Sequence, residues 1–322
     1  MMRKFTLLIM TLLMATTFLF TGCNKEKDLG TTSIALPSEG SGAMLCFSST
    51  EEFVETRQLL LFIDKEERVK WEREHGFQSY ATKCEKLFEA FESKGIESDD
   101  DIYAFVDTCP DYFYIYLDND GEKYLRSYLE MDVLYAFVNE NRLIRIGNRV
   151  YKVYDDGIFA AEDAESLSQI TIDNHHSFMD NSQGLLVFPR NEEKGDTKKI
   201  FRVTNGNDRT LAEFRLQETP LFPWEVQFFM RPYHKTLGIW YWCNRHLSWD
   251  VSASWRWRQY DDEVYPGFHS DNGSTAGSTE DTRSSYTYIF LPINWYDVRD
   301  FSFTSIDGWA KTPSTDKCYC HL

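Results

Sequence analysis

The chain lacks an apolar run long enough to cross a bilayer as a helix. The uncharged stretch Phe5 to Phe20 follows Arg3 and Lys4, and a spanning helix needs about 20 apolar residues. Its length and its basic flank instead predict a secretory signal. The chain is also poor in positive charge. Lys and Arg number 34 against 51 Asp and Glu, a formal net charge of −17. Loss of Arg3 and Lys4 with the leader makes the remainder more negative by two. No basic patch offsets this, so nucleic acid is excluded as a partner. Signatures of common chemistry are missing as well. There is no G-x-S-x-G, no H-E-x-x-H and no phosphate-cradling glycine loop, and the sequence designates no catalytic residue, no metal site and no cofactor. There is no internal repeat.

What is present begins with Cys23, in Leu19-Phe20-Thr21-Gly22-Cys23. A small residue directly before a cysteine at the end of such a leader resembles a bacterial lipoprotein signal. That resemblance implies lipid attachment at the Cys23 thiol and a membrane contact through the N-terminal lipid. The charged run Asn24 to Asp28 is similar to the signal that sends lipoproteins to the outer face of the outer membrane in Bacteroidota. Leu29 to Ala43 is rich in Gly, Ser and Thr and reads as a flexible tether, holding the fold roughly 25 Å from the membrane. The expected organisation is a leader over 1–22, a tether over 23–43, an α+β domain over 44–195 and a sandwich-like domain over 196–322.

In the first region Met44 to Phe47 predicts a short strand, and Ser49 with Glu52 gives the capping-box spacing for a helix. A second helix over Glu66 to His75 ends at Gly76. A third carries Tyr80, Cys84, Leu87, Phe88 and Phe91 on one face and ends at Gly95. Tyr112 to Leu117 reads as a strand closed by Asp118-Asn119-Asp120-Gly121, and Tyr124 to Val138 as helical. Leu143 to Ile146 and Val150 to Tyr154 form a hairpin about Gly147-Asn148. The polar stretch Asn191 to Lys199 is the expected boundary.

Helix signals then fade, and eight of the nine tryptophans lie beyond residue 220. Leu237 to Cys243 and Leu247 to Tyr260 read as a hairpin pair about Asn244-Arg245. Trp255 and Trp257 alternate with Arg256 and Arg258, which predicts rings inward and guanidinium groups outward. Gly267 to Thr282 reads as a loop, and Tyr286 to Leu291 and Phe301 to Phe303 as strands. The fold class is therefore α+β, an N-terminal mixed region with β-hairpins followed by a Trp-rich antiparallel β-sandwich-like region.

Two stretches, Leu45 to Phe53 and Asn139 to Asn148 with Val150-Tyr151-Lys152, resemble a group of Bacteroidota surface lipoproteins with no assigned biochemical activity. The motifs are a capped helix and a hairpin, so the resemblance implies location and fold and carries over no catalytic residue.

Among candidate ligands, Cys243, His246, Cys318, Cys320 and His321 have types suited to zinc. An exported chain favours oxidation, so the expectation is one disulfide from Cys243 to Cys318 or Cys320. Asp118, Asp120 and Glu122 fail the calcium-loop spacing and read as a solvated turn, as do Asp99 to Asp101 and Asp261 to Glu263. His175-His176 reads as surface loop. The function expected is a non-catalytic binding or surface-assembly component of the outer membrane, its partner a glycan or another surface protein. The alternative is a carbohydrate-acting hydrolase. Metabolic labelling with a fatty-acid analogue is expected to mark the wild type and spare Cys23→Ala; equal labelling of the two refutes attachment at this residue.

Overall fold

Ser49 starts the first helix. Its hydroxyl accepts the Glu52 amide at 3.3 Å, and the Glu52 carboxylate reaches back to the Ser48 amide at 2.6 Å, one residue earlier than in the usual box. The computed structural model describes residues 43–63, 65–129, 133–180, 184–189, 197–217, 221, 224–259, 268–279, 286–293 and 298–322. Helix α1 spans Thr50–Phe62, α2 Lys65–Glu74 and α3 Tyr80–Glu92. Gly76 and Gly95, at φ of 59° and 80°, end the last two as left-handed caps. Helix α4, Asp99–Thr108, is a correction. The three aspartates expected in a solvated turn form its first turn, where negative charge suits the helix dipole. Ser98 and Asp101 close a full capping box, and Ser98-x-x-Asp101 was the legible signal.

The described strands form three sheets. The first orders β1 (Cys46–Phe47), β4 (Leu143–Ile146), β5 (Arg149–Tyr154), β6 (Gly157–Ala161) and β7 (Leu186–Pro189). Only β1 on β4 is parallel among these pairs. A short helix α5, His175–Asp180, lies between β6 and β7 in sequence. The second sheet orders β2 (Phe113–Leu117), β3 (Lys123–Ser127), β11 (Ile239–Trp242), β10 (Trp224–Thr236), β9 (Asp208–Gln217) and β8 (Lys198–Asn205), with β14 (Tyr286–Ile293) also on β10. The third orders β13 (His269–Ser278), β12 (Ser248–Gln259), β15 (Val298–Lys311) and β16 (Cys318–His321). The fold is α+β, and the second and third sheets face each other as a sandwich.

Alternation builds that sandwich core. Phe214 on β9, Phe228 and Met230 on β10, and Trp249, Trp255 and Trp257 on β12 share one buried cluster with Phe301 and Phe303. Arg256 between the two tryptophans is exposed, as expected. At the β2 end of the second sheet, α3 and α4 bring aromatic rings to β2 and β11. Phe88 lies 4.5 Å from Trp242, and Phe91 stacks on Phe105 at 4.3 Å. Such ring pairs add about 0.5–1.5 kcal/mol each beyond area burial.

Three expectations are corrected. Lys123–Ser127 is a strand rather than helix, because the left-handed Gly121 turn returns the chain beside β2, and among the described residues of this stretch Val133–Ala136 forms a 3-10 turn. Leu237–Cys243 does not pair with Leu247–Tyr260. The two-residue loop Leu237-Gly238 folds β11 onto β10, while β12 belongs to the third sheet. The Gly/Ser/Thr/Asp stretch expected as a loop forms β13, an edge strand over His269–Ser278.

Most of the expected boundary, 191–196, lies outside the described residues. Strands from both sides of it share the second sheet: β3 runs parallel to β11, with Lys123 opposite Ile239 and Tyr124 opposite Trp240.

The β13 glycines have a packing role. A Cβ on Gly273 would stand 2.5 Å from Phe290 Cδ1 and 2.9 Å from its Cβ, so the whole ring would have to shift. Gly273→Ala is expected to destabilise the chain by about 1–3 kcal/mol. Urea denaturation checks this, and an unchanged midpoint contradicts the packing.

Candidate functional site

Two short strands carry tyrosine or arginine at alternate positions. Tyr114 and Tyr116 on β2 share a face with Tyr124 and Arg126 on β3, because Tyr114 pairs with Arg126 and Tyr116 with Tyr124. Tyr128 continues that face beyond β3. Tyr114 and Tyr128 stack at 4.6 Å, and the Arg126 guanidinium lies 3.9 Å from the Tyr116 ring centroid. The opposite face of β2 presents Phe113 to the helices. This leaves an aromatic platform on the far side.

The same face of the sheet continues through Tyr233 on β10, then Leu211, Glu213 and Arg215 on β9, then Lys198, Ile200 and Arg202 on β8. It is concave. Arg202, at one edge, reaches Asp118 at 3.3 Å and Asp120 at 2.6 Å in the turn between β2 and β3, at the other. The cavity measures about 620 Å³, within the size range of ligand sites.

Glu122, at the end of that turn, fixes the edge. Arg209 donates to its two carboxylate oxygens at 2.5 and 3.1 Å, Trp240 Nε1 at 3.2 Å and the Tyr124 hydroxyl at 3.3 Å. The Arg209 guanidinium also lies 4.1 Å from the Trp240 ring. The Arg209 hydrogen bond, with help from Trp240, outweighs burial and holds the Glu122 carboxyl at about 2. Glu122 is therefore not the solvated-turn residue expected. Asp118 also has a role within the turn, accepting the amides of Asp120 and Glu122 at 3.0 and 2.8 Å.

The opposite wall of the cavity comes from the first sheet and α5. Tyr154, at the end of β5, stacks on His175 at 4.4 Å, and His175 lies 4.0 Å from the His176 ring. Burial pushes the Tyr154 phenol up to about 12, and its hydroxyl donates to the Ile170 carbonyl at 3.0 Å. Lys152 donates to the same carbonyl at 2.6 Å, and burial pulls its amine down to about 8. These bonds anchor the segment that leads into His175. Asp156 Oδ2 lies 3.1 Å from His175 Nε2 and 3.0 Å from His176 Nδ1. Burial disfavours charge on His175, but the Asp156 hydrogen bond and charge outweigh it and raise the imidazole. His175 is buried at 7 % exposure and His176 is exposed, but both open helix α5, so the surface-loop expectation is corrected for both and only the exposure of His176 fits it. The Asp155-Asp156 hairpin turn itself places the carboxylate; no sequence spacing pointed to this trio.

The remaining expected residues do not assemble. Cys23 and Asp261 to Glu263 lie outside the described residues. Cys243, Cys318 and Cys320 are free thiols, so the expected bridge is not formed. The reason is the sheet crossover. Cys243 follows β11, next to its helix-facing aromatics, while Cys318 and Cys320 on β16 point into the sandwich core. His246 and His321 are exposed, and His321 lies near Asp307 at 3.5 Å. The tryptophans of β12 fill the core, so the platform is built from tyrosines of the first region instead. Its signal was the period-two run Tyr112, Tyr114, Tyr116 and Tyr124, Arg126, Tyr128.

No family model matches the chain, and no curated protein matches it. A crystal structure of a DUF4848 family protein from Bacteroides thetaiotaomicron is similar over 89% of this chain and 99% of that one, at 11% identity and a TM-score of 0.32. A likeness that distant carries no argument about site or activity.

A carboxyl held below its unfolded value stabilises the fold fully above about pH 4.5, and that contribution fades as pH falls toward 2. For Glu122 it amounts to about 2–3 kcal/mol. Glu122→Gln is expected to lose most of that at pH 7, and the gap to wild type should narrow as the pH approaches 2. Urea titrations at pH 7 and pH 3 check this; a gap independent of pH contradicts it.

Proposed function

We propose that the chain is a lipid-anchored protein of the outer membrane, held at Cys23, that binds a glycan without turning it over. The observation that carries the binding reading is the concave face of tyrosines, arginines and carboxylates. Tyrosine rings offer flat apolar surface to sugar faces with a polar edge beside it. Arg126, Arg215 and Glu213 supply donors and acceptors for hydroxyl groups. A preformed cavity with a few convergent polar groups is the usual form of a small-ligand site.

The hydrolase reading is weaker on the same geometry. A general acid needs a carboxyl kept neutral in an apolar setting. Here four carboxylates of the cleft have a cationic or imidazole neighbour. Asp118 and Asp120 meet Arg202, Glu213 lies 3.6 Å from Lys198 and 3.7 Å from Arg215, and Asp156 meets two histidines.

A glycan screen of a soluble form that begins after the tether tests the reading. Binding without released product is expected. Tyr116→Ala and Arg126→Ala should each weaken it by roughly tenfold, about 1.4 kcal/mol. Binding unchanged in both variants, or absent throughout, removes the cleft as a glycan site. Turnover of a bound glycan favours the hydrolase.

A further inference from the structure

We propose that Asp156, His175 and His176 form a divalent metal site of the zinc class, on the wall opposite the tyrosine platform. One ligand atom from each residue lies within 4.8 Å of the other two. The contacts of 3.0 and 3.1 Å converge on a single oxygen, Asp156 Oδ2. Ligand bonds of about 2.0–2.2 Å place neighbouring donor atoms about 3.3–3.6 Å apart around a tetrahedral ion, so the trio needs a modest opening to close on a cation.

The hydrogen bonds around the trio also orient it. His175 Nδ1 lies 2.6 Å from the Ile172 carbonyl. A carbonyl only accepts, so Nδ1 carries the hydrogen, and the Nε2 lone pair of a neutral ring faces Asp156. A metal-bound histidine is held in this way, its second nitrogen donating to a backbone carbonyl. Without a cation or a further proton, Nε2 and Oδ2 would present two lone pairs to each other. Stacking on Tyr154 at 4.4 Å and an interplanar angle of 2° locks the ring plane. Asp156 Oδ1 is buried and has no hydrogen-bond partner among the described residues, so the carboxylate retains a free acceptor. Two imidazoles with one carboxylate suit zinc, and also other first-row divalent ions. Three protein ligands leave coordination positions open, and Asp156, His175 and His176 all line the cleft. The inference does not depend on the glycan reading, since the trio is defined without any sugar.

The test is calorimetric titration of the chelator-treated chain with zinc, alongside cobalt(II) absorption spectroscopy. One equivalent is expected to bind. The cobalt spectrum should lack a thiolate charge-transfer band, which separates this site from the six free cysteines of the described residues. His176→Ala removes an exposed ring and leaves the core intact; it should weaken binding roughly tenfold or more, and so should Asp156→Asn. His246→Ala and His321→Ala should change nothing. No saturable zinc binding, binding unaffected by His176→Ala and Asp156→Asn, or a thiolate band in the cobalt spectrum would each overturn the site.

Discussion

The carboxylate of Glu122 is the constraint on which the described structure depends most. It sits in the first half of the chain and is grasped by Arg209 and Trp240 from the second half, with Tyr124 beside it. Those contacts occur where β3 runs parallel to β11 for only two residue pairs. Such a short parallel pairing contributes little by itself. A carboxylate that accepts a bidentate guanidinium is stronger and more directional. Pairing and ion pair together make one sheet of strands that are more than 100 residues apart.

A second polar device acts at the other end of the same sheet. Arg57 on α1 and Glu225 on β10 form a buried ion pair, and Gln227 Nε2 donates to Glu225 at 3.0 Å. β10 therefore has two characters. Val226, Phe228 and Met230 face the sandwich, whereas Glu225, Gln227 and Arg231 are buried on the opposite face. Buried charge is costly unless paired, and removing one partner strands the other. The polar face fixes where α1 docks, and the apolar face supplies most of the burial. The cleft inherits its shape from these constraints, because its platform stands on β2 and β3 and its far edge on β8 and β9.

The sequence carried the elements better than their partners. Capped helices, the Gly147-Asn148 hairpin and the inward tryptophans follow from local chemistry and were legible. The β13 strand was not, because an edge strand whose one apolar side chain is Ala276 looks like a loop until Trp249 Nε1 is seen donating to Thr275 at 3.1 Å. The assignment of β11 and β12 to one hairpin failed for a related reason. Alternation marks a strand but does not name its neighbour, and the Leu237-Gly238 turn was the stronger local signal. The metal trio joins a hairpin turn to a short helix 19 residues on, and no spacing rule covers that. The tyrosine platform was readable as period two, yet tryptophan count drew attention to the wrong strands.

The central claim is that the contacts of Arg209 with Glu122 and Trp240 hold strands from both halves of the chain in one sheet. Amide hydrogen exchange on an Arg209→Met variant tests it most directly. Peptides covering 123–127, 208–217 and 239–242 should lose protection together, while those covering 143–161 keep theirs. Loss confined to 208–217, with β3 and β11 as protected as in the wild type, would contradict the account.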